Sequence, residues 1–265
     1  MRFHNISNFK YWPQIAVLIF LLAGYAAYRY FAFYDTRSSD AYISAHVIDM
    51  SSLVSGSVTH IYIHENQKVK KGDKLLGIDP LPYTYAVQRA KAKLEMAQSN
   101  YQNEKQDLAK AKISTARSEL DEANYYLNHT TLVAPEDGYI SNFNLRIGQY
   151  IKAEEGLFAL IENGKWWVVT RYRETAIRLI HPGDKAKIMI DMYPGKVFHG
   201  HVESIGWGIN REQRGDAAPS PLVYLQATED WIRIAQRFPV RISIDEISEE
   251  YPLRIGASAT TITYR

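Results

Sequence analysis

The sequence contains no cysteine among its 265 residues. That absence excludes disulfide bonds, thiolate metal sites, a cysteine nucleophile and a lipid anchor attached through an N-terminal cysteine. An excess of charge of one sign is also missing, because 31 basic residues are balanced by 29 acidic ones and leave a net charge of only +2. We therefore expect no nucleic-acid surface.

Catalytic signatures are missing as well. The chain has no glycine-rich phosphate loop, no nucleophile elbow and no helix with two histidines four residues apart. We therefore expect neither an enzyme nor a bound cofactor. His199 and His201 flank a glycine on a predicted strand and could share a metal, but no third ligand is near in sequence, so a solvated pair is favoured.

One long apolar run is present near the start of the chain. Between residues 11 and 34 the only charged residue is Arg29, and about 20 apolar residues suffice to cross a bilayer core of about 30 Å. We predict a cytoplasmic segment at 1–10 and a transmembrane helix at 11–34, with Arg29 snorkelling towards the headgroups. The residues expected to face lipid or the membrane interface are Trp12, Ile15, Leu18, Phe20, Leu22, Tyr28 and Arg29.

The orientation of this predicted span follows from the flanking charges. Basic residues precede the run, whereas basic and acidic residues cancel after it, so the N-terminus is expected in the cytoplasm and everything after Asp40 across the membrane. A cleaved signal peptide remains the alternative, because the small residues at 23–26 would tolerate a cleavage site.

An internal repeat organises the middle of the chain. The stretch 56–78 matches the stretch 138–160 position by position without a gap, with apolar residues two apart and polar turns between them. Neither half could bury its own apolar face. The pattern therefore predicts that the two halves stack into one small β-sandwich.

The sequence between the two halves is helical in character. Apolar residues recur at three- and four-residue steps from Tyr83 through Leu108 and resume at Ala116, and neither glycine nor proline interrupts residues 83–131. A single helix of that length would separate the halves by about 70 Å. We therefore predict an antiparallel hairpin, with alanines on the seam. A long amphipathic helix lying on a membrane is the less favoured alternative.

The tip of the hairpin is placed by symmetry of its arms. Equal arms put the turn at Asn103, Glu104, Lys105, Gln106 and Asp107, with Asp107 able to cap the returning helix. A tip at 112–116 remains open, although it would leave arms of unequal length.

The C-terminal third changes to β-branched and aromatic residues with period-two alternation, as at 185–192 and 240–245. Pro182-Gly183 and Pro194-Gly195 have the residue types that a type II turn requires at its two central positions. Several short strands joined by turns predict a small barrel or sandwich.

Together these motifs carry a resemblance. The Val-Ser-Gly at 54–56, the Gln-x-Val-Lys-Lys-Gly-Asp-x-Leu-x-x-Ile-Asp-Pro at 67–80, the alanine-rich hairpin and the Thr-x-x-Ala-Pro-x-Asp-Gly at 131–138 resemble the HlyD-type membrane fusion proteins, which are periplasmic adaptors. The barrel region, including residues 230–242, is most similar to membrane-anchored adaptors of aromatic-acid pumps, of the p-hydroxybenzoic acid type, and of multidrug efflux pumps.

The resemblance implies a fold that is mainly β, with an N-terminal transmembrane helix, an inserted α-helical hairpin, a lipoyl-like β-sandwich of two half-motifs and a small β-barrel. The implied boundaries are a linker and first barrel strand at 35–52, half-motifs at 53–80 and 129–163, a coiled-coil hairpin at 81–128 and a barrel at 164–265.

The resemblance also implies a non-enzymatic adaptor that links an inner-membrane transporter to an outer-membrane channel. It would form a ring, a trimer or a hexamer, and would contact lipid through the N-terminal helix. The hairpin tip at 103–107 would contact the channel, and the pump-proximal part of the barrel would comprise Arg173, Glu174, Tyr193, Pro194 and Gly195.

Two alternatives stay open. An adaptor of a protein or peptide secretion system is less favoured, because that role goes with a much longer hairpin. A biotinyl or lipoyl carrier protein is also considered, because the half-repeats look like those of such domains. The modified lysine of a carrier sits on a tight hairpin between the halves, where this sequence inserts helices instead. The lysines at 68, 70, 71 and 74 could contact an anionic partner, but a solvated turn is favoured.

Overall fold

The computed structural model describes residues 12–34, 36–100, 106–209, 236–248 and 250–265. Its helices are α1 (Trp12–Tyr34), α2 (Leu81–Ser99), α3 (Gln106–Asn128) and α4 (Glu174–Ile177). Its strands are β1 (Arg37–Ser51), β2 (Gly56–Ile61), β3 (Lys68–Val69), β4 (Lys74–Ile78), β5 (Thr131–Val133), β6 (Gly138–Ser141), β7 (Tyr150–Ile151), β8 (Gly156–Arg173), β9 (Lys185–Ile190), β10 (Val197–Ile205), β11 (Arg237–Ile244) and β12 (Ser258–Tyr264). The chain divides into a sandwich unit, Ala45–Lys165, and a barrel unit formed by Met1–Ser44 and Trp166–Arg265.

The sandwich unit confirms the internal repeat at the level of strand boundaries. Strands β2, β3 and β4 start at positions 56, 68 and 74, and strands β6, β7 and β8 start at the matching positions 138, 150 and 156. The pairing follows the same correspondence, since β2 pairs with β7 while β3 pairs with β6. The two halves are therefore related by a pseudo-twofold exchange in which each half supplies a strand to the other.

Matched hydrogen bonds hold this exchange. The Val58 N–H donates to the Gln149 carbonyl at 2.8 Å, and the equivalent Ile140 N–H donates to the Gln67 carbonyl at 3.0 Å. Both glutamines also cap their own turns, because each side-chain oxygen accepts a backbone N–H three residues earlier. The repeated Gln-x-(Val/Ile)-Lys motif therefore forms the same turn in both halves.

Left-handed backbone recurs at equivalent turn positions. Asn66 and its equivalent Gly148 have φ of 62° and 86°, and Gly72 and its equivalent Glu154 have φ of 88° and 66°. Asparagine and glycine tolerate this region readily, whereas glutamate does so at a cost. The second half thus has the same turn geometry as the first, with Glu154 at the position that Gly72 occupies in the first half.

The core of the sandwich unit is formed by the inward-facing members of both halves. Val58, Leu75, Ile140, Ile151 and Leu160 are almost wholly buried and belong to a single apolar cluster. Phe143 packs edge-on against Phe158 at 5.3 Å between ring centroids. Each half supplies one wall of this cluster, as expected if neither could bury its apolar face alone.

Helices α2 and α3 pack against each other as an antiparallel pair and interrupt the repeat between β4 and β5. The buried seam positions are Ala90 on α2 and Ala109 and Ala116 on α3, and Lys93 Nζ meets Glu119 Oε2 across the pair at 2.9 Å. Alanines thus occupy the seam, as the sequence predicts, whereas Leu108 of the periodic apolar series is exposed.

In the barrel unit, six of the described strands close into a ring in the order β1-β12-β9-β10-β11-β8 and back to β1. The predicted turns are confirmed, since Gly183 and Gly195 have φ of 92° and 84° behind their prolines. The interior is filled by alternate residues of each strand, among them Ile43, Val168, Ile188 and Ile242. Alternation of buried and exposed positions along β9 and β10 matches the period-two pattern of the sequence.

Helix α1 covers the apolar run near the start of the chain. The side chains of Ile15, Leu18, Phe20 and Leu22 are exposed on it, while those of Trp12, Tyr28 and Arg29 lie outside the described residues. Within the described part of the chain, no helix meets the combined requirements of length and apolarity for crossing a membrane.

Candidate interaction surfaces

The barrel has two ends that the strand register distinguishes. At one end lie the starts of β1, β9 and β11 and the ends of β8, β10 and β12, as shown by Arg37 opposite Ile262 and Arg173 opposite Arg237. We call this the α1 end, because α1 leads directly into β1. At the opposite end lie the β9–β10 loop and the β11–β12 loop. The two loops are neighbours there, because Ile190 at the end of β9 pairs with Ala259 near the start of β12.

Arg173 and Glu174 lie at the α1 end. Arg173 is the last residue of β8 and keeps an extended backbone, with φ −62° and ψ 146°, just before the short helix α4. The Glu174 N–H donates to the Gln236 carbonyl at 2.9 Å, which ties α4 to the start of β11. Both side chains are exposed and available to a partner.

Tyr193, Pro194 and Gly195 lie at the opposite end, in the loop between β9 and β10. The Lys196 N–H donates to the Tyr193 carbonyl at 3.1 Å and closes the turn. The Tyr193 hydroxyl donates to the Pro252 carbonyl at 2.6 Å, which joins the two loops of this end. The five residues predicted as one pump-proximal patch therefore fall at two ends of the barrel, and the strand register separates Arg173 and Glu174 from the other three.

An aromatic cluster surrounds Tyr193. Its ring meets Tyr251 edge-on at 5.2 Å and Phe198 at 6.3 Å, and Lys196 Nζ lies 5.1 Å from the centre of the Tyr251 ring. The nearby Glu250 carboxylate raises the pKa of Tyr251 above its ordinary value. Sequence reasoning missed this cluster, because Tyr251 is distant from Tyr193 along the chain and no periodic signal connects them.

A carboxylate joins three strands near the α1 end. Asp40 on β1 lies 3.4 Å from Arg171 on β8 and 3.1 Å from Arg237 on β11. The Ser38 hydroxyl adds a bond to the Arg171 carbonyl at 2.7 Å, which closes the ring between β1 and β8. Sequence reasoning also missed this bridge, since its three charged members come from distant parts of the chain.

A chain of hydroxyls lies inside the barrel. The Tyr172 hydroxyl is 2.8 Å from the Thr261 Oγ1, which donates in turn to the Thr170 Oγ1 at 3.2 Å. All three side chains are almost wholly buried. Because each buried hydroxyl needs a partner, this chain fixes β8 against β12 in one register.

The hairpin tip is only partly described. Asn103, Glu104 and Lys105 lie outside the described residues. Because α3 begins at Gln106, Asp107 lies inside its first turn and is not the N-cap that the sequence predicted. The helix dipole stabilises the exposed Asp107 carboxylate there. The alternative tip at 112–116 is wrong, since those residues lie in the middle of α3.

The lysine-rich turn of the sandwich unit is solvent-exposed. Lys71 Nζ donates to Glu136 Oε1 at 2.8 Å, and this hydrogen bond with the attraction between the charges raises the pKa of Lys71 above its ordinary value. The Lys71 N–H donates to Asp137 Oδ1 at 2.7 Å. The turn is thus tied to the segment that follows β5.

The two histidines of β10 each face a carboxylate. His201 Nδ1 lies 2.7 Å from Asp245 Oδ1, and His199 Nδ1 lies 3.9 Å from Glu246 Oε1. Across the residues that the structure describes, no group of three or more potential ligands is placed to hold a metal ion. Each exposed histidine therefore lies beside a carboxylate of its own, and the two do not converge on one site.

Known sequence families match nearly all of the sandwich unit and the C-terminal segment of the barrel unit. Residues 46–162 match the barrel-sandwich hybrid domain of RND membrane fusion proteins, and residues 165–264 match the AAEA-like β-barrel domain. The protein YdhJ of Escherichia coli K12, itself uncharacterized, is 29% identical over an alignment of 282 residues, which covers 97% of this chain and 98% of that protein.

Solved structures share the fold. A MacA–MexA chimeric protein that contains the α-hairpin domain of Pseudomonas aeruginosa MexA has a TM-score of 0.67 at 19% identity, over 86% of this chain and 81% of the chimera. The periplasmic adaptor protein EmrA has a TM-score of 0.51 at 17% identity, over 88% of this chain and 99% of EmrA.

Proposed function

Because the chain belongs to the membrane fusion protein family of periplasmic adaptors, we propose that it links an inner-membrane transporter to an outer-membrane channel for the export of small molecules. The observation that carries this proposal is a sandwich of two half-repeats with an antiparallel helical hairpin inserted between them, together with a closed barrel in the same chain. Such an adaptor works by holding its partners together. We propose that it performs no reaction, and that energy comes from the transporter.

The proposed anchor is the apolar run at 11–34, with the N-terminus in the cytoplasm and both units in the periplasm. Its support is the uncharged stretch before Arg29 and the exposed aliphatic side chains on α1. Membrane anchoring through a protein segment also fits a chain that has no cysteine for a lipid.

The proposed assembly is a ring of copies, a trimer or a hexamer, because one chain cannot enclose a conduit. The barrel would contact the transporter and the hairpin tip at 103–107 would contact the channel. Of the predicted barrel residues, Arg173 and Glu174 lie at the end of the barrel that α1 enters, and we assign the transporter contact to Glu174.

The proposed substrates are aromatic acids or drugs. Their support is the match of residues 165–264 to an AAEA-like barrel domain, together with the resemblance of that region to aromatic-acid adaptors. A secretion adaptor is less favoured, because helices α2 and α3 of 19 and 23 residues reach only about 30–35 Å. A swinging-arm carrier is disfavoured because β4 is followed by Pro80 and α2 in place of a tight turn that would present a lysine.

The proposal is tested by chemical crosslinking in cells followed by affinity purification of the full chain. The wild-type protein should bring down one inner-membrane transporter and one outer-membrane channel. Replacing residues 103–107 with a Gly-Ser linker should keep the transporter and lose the channel. The control, Lys91→Ala with Glu95→Ala, changes exposed residues on α2 and should keep both. Recovery of neither membrane protein with the wild type would overturn the adaptor function, and retention of the channel by the linker variant would overturn tip docking.

A further inference from the structure

Charge on the barrel is divided between its two ends. Among the described residues of the α1 end, cations outnumber carboxylates. The cations are Arg37, Arg171, Arg173, Arg178, Lys185, Lys187, Arg237 and Arg265, and the carboxylates are Asp40, Glu174, Asp184 and Glu203. The described residues at the opposite end have two cations and four carboxylates, which are Lys196, Arg254, Asp191, Asp245, Glu246 and Glu250. The whole chain has a net charge of only +2, so this separation is local and is hidden by the overall composition.

We call these cations of the α1 end the basic rim. The fold holds several of them in place, since Asp40 binds both Arg171 and Arg237, and the Arg178 Nε donates to the Thr175 carbonyl at 3.2 Å. Arg173 is exposed at the end of β8, and Lys185 is exposed at the start of β9. Asp184 adds little opposing charge to the surface, because its carboxylate is mostly buried and accepts the His181 N–H at 2.7 Å.

The rim lies within a short reach of α1. Only two residues separate Tyr34, the end of the helix, from Arg37, the start of β1. Three steps of extended chain cover about 10 Å, and the headgroup region on each side of a bilayer is about 5–7 Å thick. If α1 is embedded, the start of β1 is therefore held at or just above the headgroups.

From this placement we infer that the basic rim binds the anionic phospholipid headgroups of the membrane in which α1 is anchored. The inference rests on the proposed anchoring. Anionic lipids attract clustered lysine and arginine side chains within about one Debye length, which is about 8 Å at 0.15 M salt and about 3 Å at 1 M. Contact with lipid would fix the axis of the barrel relative to the membrane, with the acidic end directed away from it.

The chain's lack of cysteine provides a selective test, because one introduced cysteine takes one fluorophore. The full chain is placed in phosphatidylcholine nanodiscs or in discs of equal phosphatidylcholine and phosphatidylglycerol, each with headgroup-spin-labelled lipid. A dye on Thr175→Cys reports the rim, and a dye on Ile255→Cys reports the opposite end. Quenching of the rim dye should be at least twofold greater in the anionic discs, and 1 M salt should abolish the difference. The distant dye should show no dependence on lipid charge.

Two double variants with the same change of charge complete the design. Arg173→Glu with Lys185→Glu should abolish the extra quenching of the rim dye, whereas Lys196→Glu with Arg254→Glu should leave it intact. Equal quenching in both lipids, or equal loss in both variants, would overturn the inference. Quenching of the rim dye could instead be the same in both lipids and rise only when the co-purified transporter is added. That result would assign the rim to an acidic protein surface and overturn the lipid assignment. Failure of the wild-type chain to enter the discs would overturn the anchoring itself, and this is seen before any quenching is measured.

Discussion

The two equivalent glycines that begin β2 and β6 should respond very differently to alanine. A Cβ added at Gly138 would collide with the Ile161 carbonyl oxygen on β8, which is a backbone atom that cannot turn away. A Cβ added at Gly56 would lie 2.7 Å from the Ile78 Cγ2, which is a side-chain methyl group, while the equivalent backbone oxygen, that of Asp79, lies 4.0 Å away. The difference arises because β8 continues past residue 160 beside β6, whereas β4 ends at Ile78 and the chain departs at Pro80.

The magnitudes follow from these obstacles. Overpacking against fixed backbone costs about 1–3 kcal/mol or more, and removing a glycine returns about 0.4–1 kcal/mol through the unfolded state. For Gly138→Ala we expect a net loss of about 2 kcal/mol in the free energy of unfolding. For Gly56→Ala a shifted Ile78 rotamer costs about 0.5–1.5 kcal/mol, so the net change should stay within about 1 kcal/mol.

The assay is thermal unfolding of the full chain in detergent, with amide hydrogen exchange to assign the change to the sandwich unit. At about 4 °C per kcal/mol for a unit of this size, Gly138→Ala should lower the Tm by about 8 °C and Gly56→Ala by less than about 4 °C. Equal shifts, or a larger loss for Gly56→Ala, would refute the argument that the distance to the neighbouring backbone carbonyl distinguishes the halves.

Two further predictions concern single polar contacts. Tyr172→Phe should lower the free energy of unfolding by about 1 kcal/mol, because it removes the hydroxyl bonded to the buried Thr261. In combination with Thr261→Val the two losses should be less than additive, and strict additivity would contradict a shared bond. In an NMR titration, Glu136→Gln should lower the pKa of Lys71 towards its ordinary value, since the Glu136 carboxylate raises it in the wild type. The bond's contribution to stability is present at neutral pH and is lost as the pH rises through that raised pKa, so an unchanged titration would contradict the pairing.

Much of the sandwich unit could be predicted from the sequence, because its information is local and occurs twice. The constant spacing between the halves, the turn glutamines Gln67 and Gln149, and the apolar alternation each specify a strand or a turn to within a few positions. The hairpin followed from helical periodicity, and its alanine seam followed from the small residues of that pattern, as at Ala90 and Ala116. The buried Ala109 lay outside the periodic apolar series, whose member Leu108 is exposed.

The barrel surfaces could not be predicted in the same way. Whether two residues share an end of a closed barrel depends on the register of strands from distant parts of the chain, as where β11 lies beside β8. The prediction that Arg173 and Tyr193 lie together was made without knowledge of that register. The bridge from Asp40 to Arg171 and Arg237 and the contact of Tyr193 with Tyr251 have the same origin.

Site-specific photocrosslinking in intact cells tests the central claim most directly, with a photoreactive residue at Glu174, at Tyr193 or at Gln106 and mass spectrometry of the captured proteins. An adaptor anchored beside its pump should capture an inner-membrane transporter through Glu174, less or none of it through Tyr193 at the opposite end of the barrel, and an outer-membrane channel through Gln106. Capture of no membrane transport protein from any of the three positions would contradict the account.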